Sequence, residues 1–371
     1  MLLIKTNRDT LLKPLQTVTG IVERRQTLPI LSNVLIQQDK NNISFLTTDL
    51  EIQIKTATRK DSSSHQNFSL TVSAKKLQDI LRSLSSDVEI ALTRQDDHLQ
   101  VKSGKSSFNL QILPAEDFPE IIEDLKSDIS ITLKQNELKH LLHHVQFSVA
   151  QQDIRYYLNG LLLLIENKQL IGVGTDGHRL AYIATNLDKT QIKQEMILPR
   201  KAVFELTKLL NDSEDPVNIE YFQNRVRFSF SDIILTSKII DGKFPDYNRV
   251  IPTKNTKLFE IERLTFLHAL QRVSILSTQS EKFRGVRLII SKEKLCIICK
   301  NNEQEEAQEE LEIKYDNETI DTSLNITYLL DLLNNVDTET VQCAFENANS
   351  SVLITVPGNK EFKYIVMPMR I

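Results

Sequence analysis

The sequence predicts an α+β protein of three repeated domains, each made of two helices packed on antiparallel strands. Three observations carry this reading. Marker pairs recur at a fixed interval: Thr48-Asp49 returns as Thr175-Asp176, 127 residues on, and Phe118-Pro119 returns as Phe244-Pro245, 126 on. A helical stripe recurs with them, Leu11, Leu15 and Val18 being answered by Leu138, Leu142 and Val145 and then by Phe266, Leu270 and Val273. A second stripe does the same, with Leu77 and Ile80, then Val203 and Leu206, then Leu329 and Leu332. The 371 residues hold three such periods of ordinary domain size, placing the domains at 1–127, 128–256 and 257–371.

Within the first repeat a strand is predicted over Leu2 to Thr6, because apolar positions alternate, and an amphipathic helix over Arg8 to Val22, because they recur at three and four. Alternation returns over Asn33 to Gln38, Ile43 to Thr48 and Leu50 to Thr56. Ser73 stands as an N-cap for a second helix over Ala74 to Leu84, and strands follow at Val88 to Thr93, Leu99 to Ser103 and Ser107 to Leu113. Each repeat therefore holds two helices and six to eight strands. Both helices must press an apolar stripe on a sheet and leave the opposite face free. Those free faces carry Lys13, Arg24, Arg25, Lys75, Lys76 and Arg82, then Lys139, His140, His143, His144, Arg200, Lys201 and Lys208. They are either solvated surfaces or a basic lining for a polyanion.

Composition narrows the class. With 40% apolar and 25% charged residues the chain can bury real cores. No stretch reaches the apolar length of a membrane span, and the start, MLLIKTNRDT, lacks the apolar core of a secretory signal. Three cysteines fit a reducing compartment and argue against a disulfide framework, so a cytoplasmic protein is expected. Cys296 and Cys299 form a CxxC inside a strand-like run, where positions three apart face opposite ways, so no metal site is expected there. A net charge of −4 gives no global attraction to nucleic acid.

Several motifs resemble chemistry. Gly172, Gly174 and Gly177 fit GxGxxG, but the segment after Gly177 alternates like a strand where a dinucleotide fold needs a helix, so a tight turn between strands explains the glycines better. His178 stands beside Asp176 and Arg179, yet no nucleophile sits in a recognisable elbow and no histidine pair stands at metal-ligand spacing, so a binding-surface histidine is expected and no catalytic residue. The acidic run from Glu303 to Glu312 is either a solvated strand edge, one side of an interface, or a Mg²⁺ site for phosphoryl transfer.

Four ordered motifs carry a resemblance: RYYLNG at 155–160, TDGHRL at 175–180, FPDY at 244–247 and VMPMR at 366–370. Together with TLPILSN at 27–33, EKFRGVRL at 281–288 and NNEQEEAQE at 301–309 they resemble the bacterial DNA polymerase III beta subunit, the sliding clamp, over nearly the whole chain. The resemblance implies a head-to-tail homodimer whose six domains close a ring around duplex DNA without sequence specificity. It implies no catalysis, no cofactor and no membrane. Replicative polymerase, clamp loader, other polymerases and repair proteins would dock through short linear peptides.

Residue by residue, the resemblance places DNA contacts at Arg25, Lys75, Gln152, Tyr156 and Tyr157. It places the peptide cleft, between the second and third domains, at Leu158, Thr175, Gly177, His178, Arg179, Leu180, Pro245, Arg249, Val250, Asn325, Tyr328, Ser351, Val366, Met367, Pro368, Met369 and Arg370. Asn248 stands where many relatives have a second arginine, and Asn349 replaces a more usual apolar residue, which bears on peptide preference at the rim. The dimer contact falls on Phe108 and Leu110 against Ile275 and Leu276, flanked by Lys105, Glu303, Glu305 and Glu306.

Overall fold

The computed structural model describes residues 1–23, 28–39, 42–59, 67–121, 127–277 and 285–369. The first repeat runs β1 (Leu2–Asn7), α1 (Arg8–Val18), β2 (Asn33–Gln38), β3 (Asn42–Thr48), β4 (Ile52–Arg59), β5 (Phe68–Ser73), α2 (Ala74–Ser83), β6 (Glu89–Gln95), β7 (His98–Ser103) and β8 (Ser106–Leu113). The second runs β9 (Ile129–Lys134), α3 (Gln135–Gln146), β10 (Gly160–Thr175), β11 (Arg179–Pro199), α4 (Arg200–Leu209), β12 (Pro216–Phe222), β13 (Arg225–Phe230) and β14 (Ile233–Lys238). The third runs β15 (Lys257–Glu262), α5 (Arg263–Val273), β16 (Gly285–Ser291), β17 (Lys294–Lys300), β18 (Glu306–Glu312), β19 (Ile320–Asn325), α6 (Ile326–Asn335), β20 (Thr340–Phe345), β21 (Val352–Val356) and β22 (Asn359–Val366). Each repeat thus holds two helices and six to eight strands among the described residues, as its periodicity predicts.

The helix stripes are buried as expected. Leu15, Leu142 and Leu270, the same position in three repeats, are each wholly inaccessible. Each such side chain contributes about 2 kcal/mol by leaving water. Two local expectations are corrected. On α2 the deep residues are Leu77 and Leu81, with Ile80 only half-buried. Ser73 occupies the N-cap position and is still in ladder register with Asn33, but its side chain makes no cap bond. The corresponding Asn325 does cap α6, accepting from the Thr327 N–H at 2.9 Å.

The Thr-Asp marker recurs for a local reason. Asp176 Oδ1 accepts from the N–H of His178 (2.9 Å) and of Arg179 (3.0 Å), while Thr175 Oγ1 accepts from Gly177 N–H and donates to Arg179 O. In the first repeat Asp49 Oδ1 accepts from the N–H of Glu51 and Ile52, and Thr48 Oγ1 accepts from Leu50 and donates to Ile52 O. The pair is a device for closing a hairpin turn. Its central residue lies at positive φ in both copies, 76° at Leu50 and 89° at Gly177.

Contacts divide the chain into two compact units, Met1–Leu138 with Phe204–Ile239 and Lys139–Val203 with Ile240–Ile371, so the central repeat contributes to both. The first unit holds a twelve-stranded sheet ordered β1-β6-β7-β8-β5-β2-β3-β4-β14-β13-β12-β9, in which β4 pairs with β14 across the repeat boundary. The second holds a six-stranded sheet ordered β10-β11-β22-β21-β20-β15 and a four-stranded sheet ordered β18-β17-β16-β19. In the six-stranded sheet β11 pairs antiparallel with β22 of the next repeat, from Arg179↔Val366 to Ile183↔Phe362.

The GxGxxG segment is a β10–β11 hairpin, as its alternation predicts. The turn, however, accounts only for Gly177. Gly172 and Gly174 lie within β10, where α3 approaches so closely that a Cβ on Gly174 would stand 2.4 Å from the Val145 carbonyl oxygen. Cys296 and Cys299 lie on β17 as expected, and all three cysteines are buried and unbridged.

The free face of α3 is less open than the sequence suggests. His144 is 7% exposed, and its ring meets Phe362 edge-on at 5.5 Å. Its ring also packs against that of His140 one helical turn away, 4.0 Å between centroids. Its Nδ1 lies 2.8 Å from the His140 carbonyl oxygen. Burial, and then the neighbouring His140, push its pKa down to about 4. A histidine whose folded pKa is depressed gives stability that is full above the unfolded value and is lost as pH falls toward the folded one. Unfolding in urea between pH 7 and pH 4 should therefore show a loss of about 3 kcal/mol that His144→Phe removes. An identical pH profile in the variant would contradict the burial of a neutral ring.

Candidate functional site

One face of the six-stranded sheet builds the site. Alternation places Leu162, Leu164, Ile171, Val173, Leu180 and Ile365 on that face, where they form one buried apolar cluster. The segment after β14 crosses it. Phe244 inserts into the cluster, and Tyr247 and Ile251 pack at its margin. The cover is incomplete, leaving a cavity of about 160 Å³ lined by Tyr157, Leu158, Leu180, Phe244, Tyr247, Val250, Ile365 and Met367, with Thr175, Gly177, His178, Arg179, Pro245, Asp246 and Arg155 around them. A dry apolar space of that size takes one benzene-sized group, so it accommodates one aliphatic or aromatic side chain.

Two devices hold the walls. After β22 the chain continues as a strap: Met367 N–H donates to His178 O at 2.9 Å, and Met369 N–H donates to Ser323 O at 2.7 Å. The strap leaves Met367 37% exposed at the mouth. The second device is Arg179. Its guanidinium donates to Asp331 Oδ2 (2.6 Å), to the Phe147 carbonyl (2.7 Å) and to Asp176 Oδ2 (3.1 Å), and lies 4.4 Å from the Tyr328 ring centroid. Burial opposes the charge, but Tyr364 and the two carboxylates outweigh it and the group stays ionised. Arg179 is therefore a tie between the hairpin turn, α3 and α6 more than a loose donor at the rim.

Of the cleft residues expected from the sequence, the structure brings Leu158, Thr175, Gly177, His178, Arg179, Leu180, Pro245, Val250 and Met367 around the cavity. The others stand outside its lining. Arg249 is 85% exposed and pairs with Asp246 at 2.9 Å. Asn325 caps α6, Tyr328 lies under Arg179, and the Ser351 carbonyl accepts from Asn255. Val366 is buried in the β11–β22 ladder, and Pro368 and Met369 belong to the strap. Asn248 and Asn349 are both exposed. Arg370 lies outside the described residues. Sequence reasoning missed Phe244, Asp246, Tyr247, Ile365 and Arg155 as lining groups. The recurring Phe-Pro marker could have found Phe244, since Phe118 likewise packs on a sheet cluster of Leu35 and Leu46. Arg155 braces the turn from outside, bound to Asp153 through both carboxylate oxygens and to the Asp176 carbonyl, and it holds the Asp153 carboxyl down to about 2.

The residues expected at DNA separate. Tyr156 is 59% exposed while Tyr157, 5.7 Å away in a T-shaped pair, turns into the cavity wall. Gln152 is exposed at a left-handed φ of 55°, Lys75 is half-buried on α2, and Arg25 lies outside the described residues. At the expected dimer contact Ile275 is 79% exposed and Phe108, Leu110 and Leu276 are half-buried. The acidic run forms β18 and the turn before it, with Glu306, Glu309 and Glu310 paired to Lys300, Arg272 and Lys294. Glu305 is bound by Asn301, Glu303 and Lys105 are exposed, and no metal-holding cluster occurs among the described residues.

Comparisons place this architecture. The N-terminal, central and C-terminal domains described for the DNA polymerase III beta subunit match residues 2–122, 132–246 and 248–370 in order. The chain is 41% identical over 365 residues to the beta sliding clamp of Pseudomonas putida, and 41% over 364 residues to that of Escherichia coli, covering 98% of each partner and of itself. It superposes with a TM-score of 0.95 on the DNA polymerase III beta-subunit clamp of Pseudomonas aeruginosa solved with griselimycin, at 40% identity over 100% of both chains. The pol III beta of Caulobacter crescentus gives a TM-score of 0.91 at 34% identity, covering 99% of this chain. With three matched domains in order and likeness over its whole length, the chain belongs to the bacterial DNA polymerase III beta subunits, the sliding clamps that act in DNA replication as non-catalytic processivity factors.

Proposed function

We propose that two copies of this chain close head to tail into a ring that encircles duplex DNA without reading its sequence. Replicative polymerase, clamp loader, other polymerases and repair proteins then dock by short linear peptides anchored in the cavity beside Met367. The observation that carries the docking reading is the cavity itself: an apolar hole for one side chain, bordered by flexible methionine and fixed backbone turns.

Exposed sheet edges support the dimer. Among the described residues β8 is laddered to β7 through Ser106–Gln111 but to β5 only at Ile112 and Leu113, and β18 is an edge strand. Such edges invite pairing with another chain. Phe108 and Leu110 on one edge, and Ile275 and Leu276 beside the other, supply an apolar centre, with Lys105 and Glu303, Glu305 and Glu306 as its charged margin. Arg25, Lys75, Gln152 and Tyr156 are assigned to DNA, with Tyr157 shared between that surface and the cleft. Loose cationic contact suits sliding, because each tight phosphate pair would have to break at every step. The three buried thiols fit a cytoplasmic protein, and no helix among the described residues is long and apolar enough to cross a membrane.

Two measurements test the proposal. Protein loaded on nicked circular DNA should stay bound and should leave on linearisation, and Phe108→Asp combined with Ile275→Asp should halve the native mass and abolish retention. Equal retention on circles and linear DNA, or a variant of undiminished mass that still stays bound, would contradict it. A labelled heptapeptide with a central leucine should lose about tenfold in affinity with Met367→Ala, roughly 1.4 kcal/mol, at unchanged particle mass. Unaltered affinity would remove Met367 from the docking site.

A further inference from the structure

The face that floors the cavity continues beyond it. Tyr182 follows Leu180 on that face, and Lys363 stands opposite it in ladder register. Tyr247 borders the cavity on one side and meets the Tyr182 ring on the other, 5.9 Å between centroids. Both tyrosines are half-buried against the cluster that lines the cavity. The ledge already holds a cation, for Lys363 Nζ lies 4.9 Å from the Tyr182 ring centroid.

Acidic groups dominate its surroundings. Glu361 stands two residues before Lys363 on β22 and Glu195 stands opposite Leu164 of the floor, so both share that face, and with Glu166 they act on one or other tyrosine. Against them stand Lys363 and Lys193, the latter 3.1 Å from Glu166 and 3.9 Å from Glu195. Three carboxylates against two ammonium groups leave the ledge negative. Burial first, then Tyr247, Glu361 and Glu166, push the Tyr182 hydroxyl up to about 12.

We infer that Tyr182, Tyr247 and Glu361 form an extension of the cleft that seats a basic side chain, arginine above all, about two residues from the apolar anchor of a docked peptide. The inference rests on the cavity being the docking site. A guanidinium can lie on a tyrosine face while pairing with a carboxylate, which a lysine does less well and an acidic side chain cannot do. The spacing follows from reach, since two extended residues span roughly 6.6 Å and one ring, Tyr247, separates the cavity from Tyr182.

The test uses the full-length protein and labelled heptapeptides with a central leucine, carrying Arg, Ala or Glu two positions before or after it. In one of the two positions the Arg peptide should bind about fivefold tighter than the Ala peptide, with the Glu peptide weakest. Tyr182→Leu should bring the Arg-to-Ala ratio close to one while leaving the Ala peptide unaffected. Glu361→Gln, at an exposed site, should lower the ratio without disturbing the fold. Equal binding of Arg and Ala peptides at both positions, or a ratio that survives Tyr182→Leu, would overturn the extension alone. Failure of all the peptides to bind would overturn the docking site and the extension with it.

Discussion

The β11–β22 ladder is the constraint on which the docking site depends. It joins the second repeat to the third as one sheet, and its first rung, Arg179↔Val366, sets Arg179 and the following Met367 in the cavity lining. Every wall refers back to that rung. The hairpin turn is closed by Thr175 and Asp176 just before it, the strap leaves from just after it, and the floor is the sheet face it belongs to. Arg179 then ties the rung to α3 through Phe147 and to α6 through Asp331. A buried guanidinium with carboxylate and carbonyl partners is costly to disturb, because any lost partner leaves charge stranded out of water.

Repetition explains how one chain obtains unlike surfaces from one module. The Thr-Asp turn closes the same hairpin in the first and second repeats, with Leu50 and Gly177 at the left-handed position. Leucine there is strained where glycine is not. In the second repeat Arg155 packs against this turn, and a Cβ on Gly177 would stand 2.9 Å from its Nη1. The substitution that relieves strain also admits the brace that shapes the cleft.

Much of this was legible in the sequence, for reasons that can be named. Helix stripes and strand alternation are local, so Leu15, Leu142 and Leu270 are identifiable as core from their spacing, and the hairpin nature of the GxGxxG segment follows from alternation. The cleft residues followed from the family resemblance that the ordered motifs carry, and not from periodicity. What stayed hidden depends on contacts distant along the chain. Asp331 is 152 residues from Arg179, and nothing near either announces the pair. Gly174 looked like a turn glycine because the approach of α3 cannot be read from β10. His144 looked like part of a basic face because Phe362, which covers it, comes from the following repeat. Tyr156 and Tyr157 looked alike, and only the fold sends one outward and the other into the cavity.

Amide hydrogen exchange on Arg179→Lys, read together with binding of a leucine-centred heptapeptide, tests most directly whether this tie preforms the cleft. Lysine keeps the charge but cannot hold three acceptors in one plane. The account predicts faster exchange at Gly177, His178 and Met367, weaker peptide binding, and unchanged protection in β12 and β13 of the other unit. Unchanged exchange at the turn with full peptide affinity would contradict it.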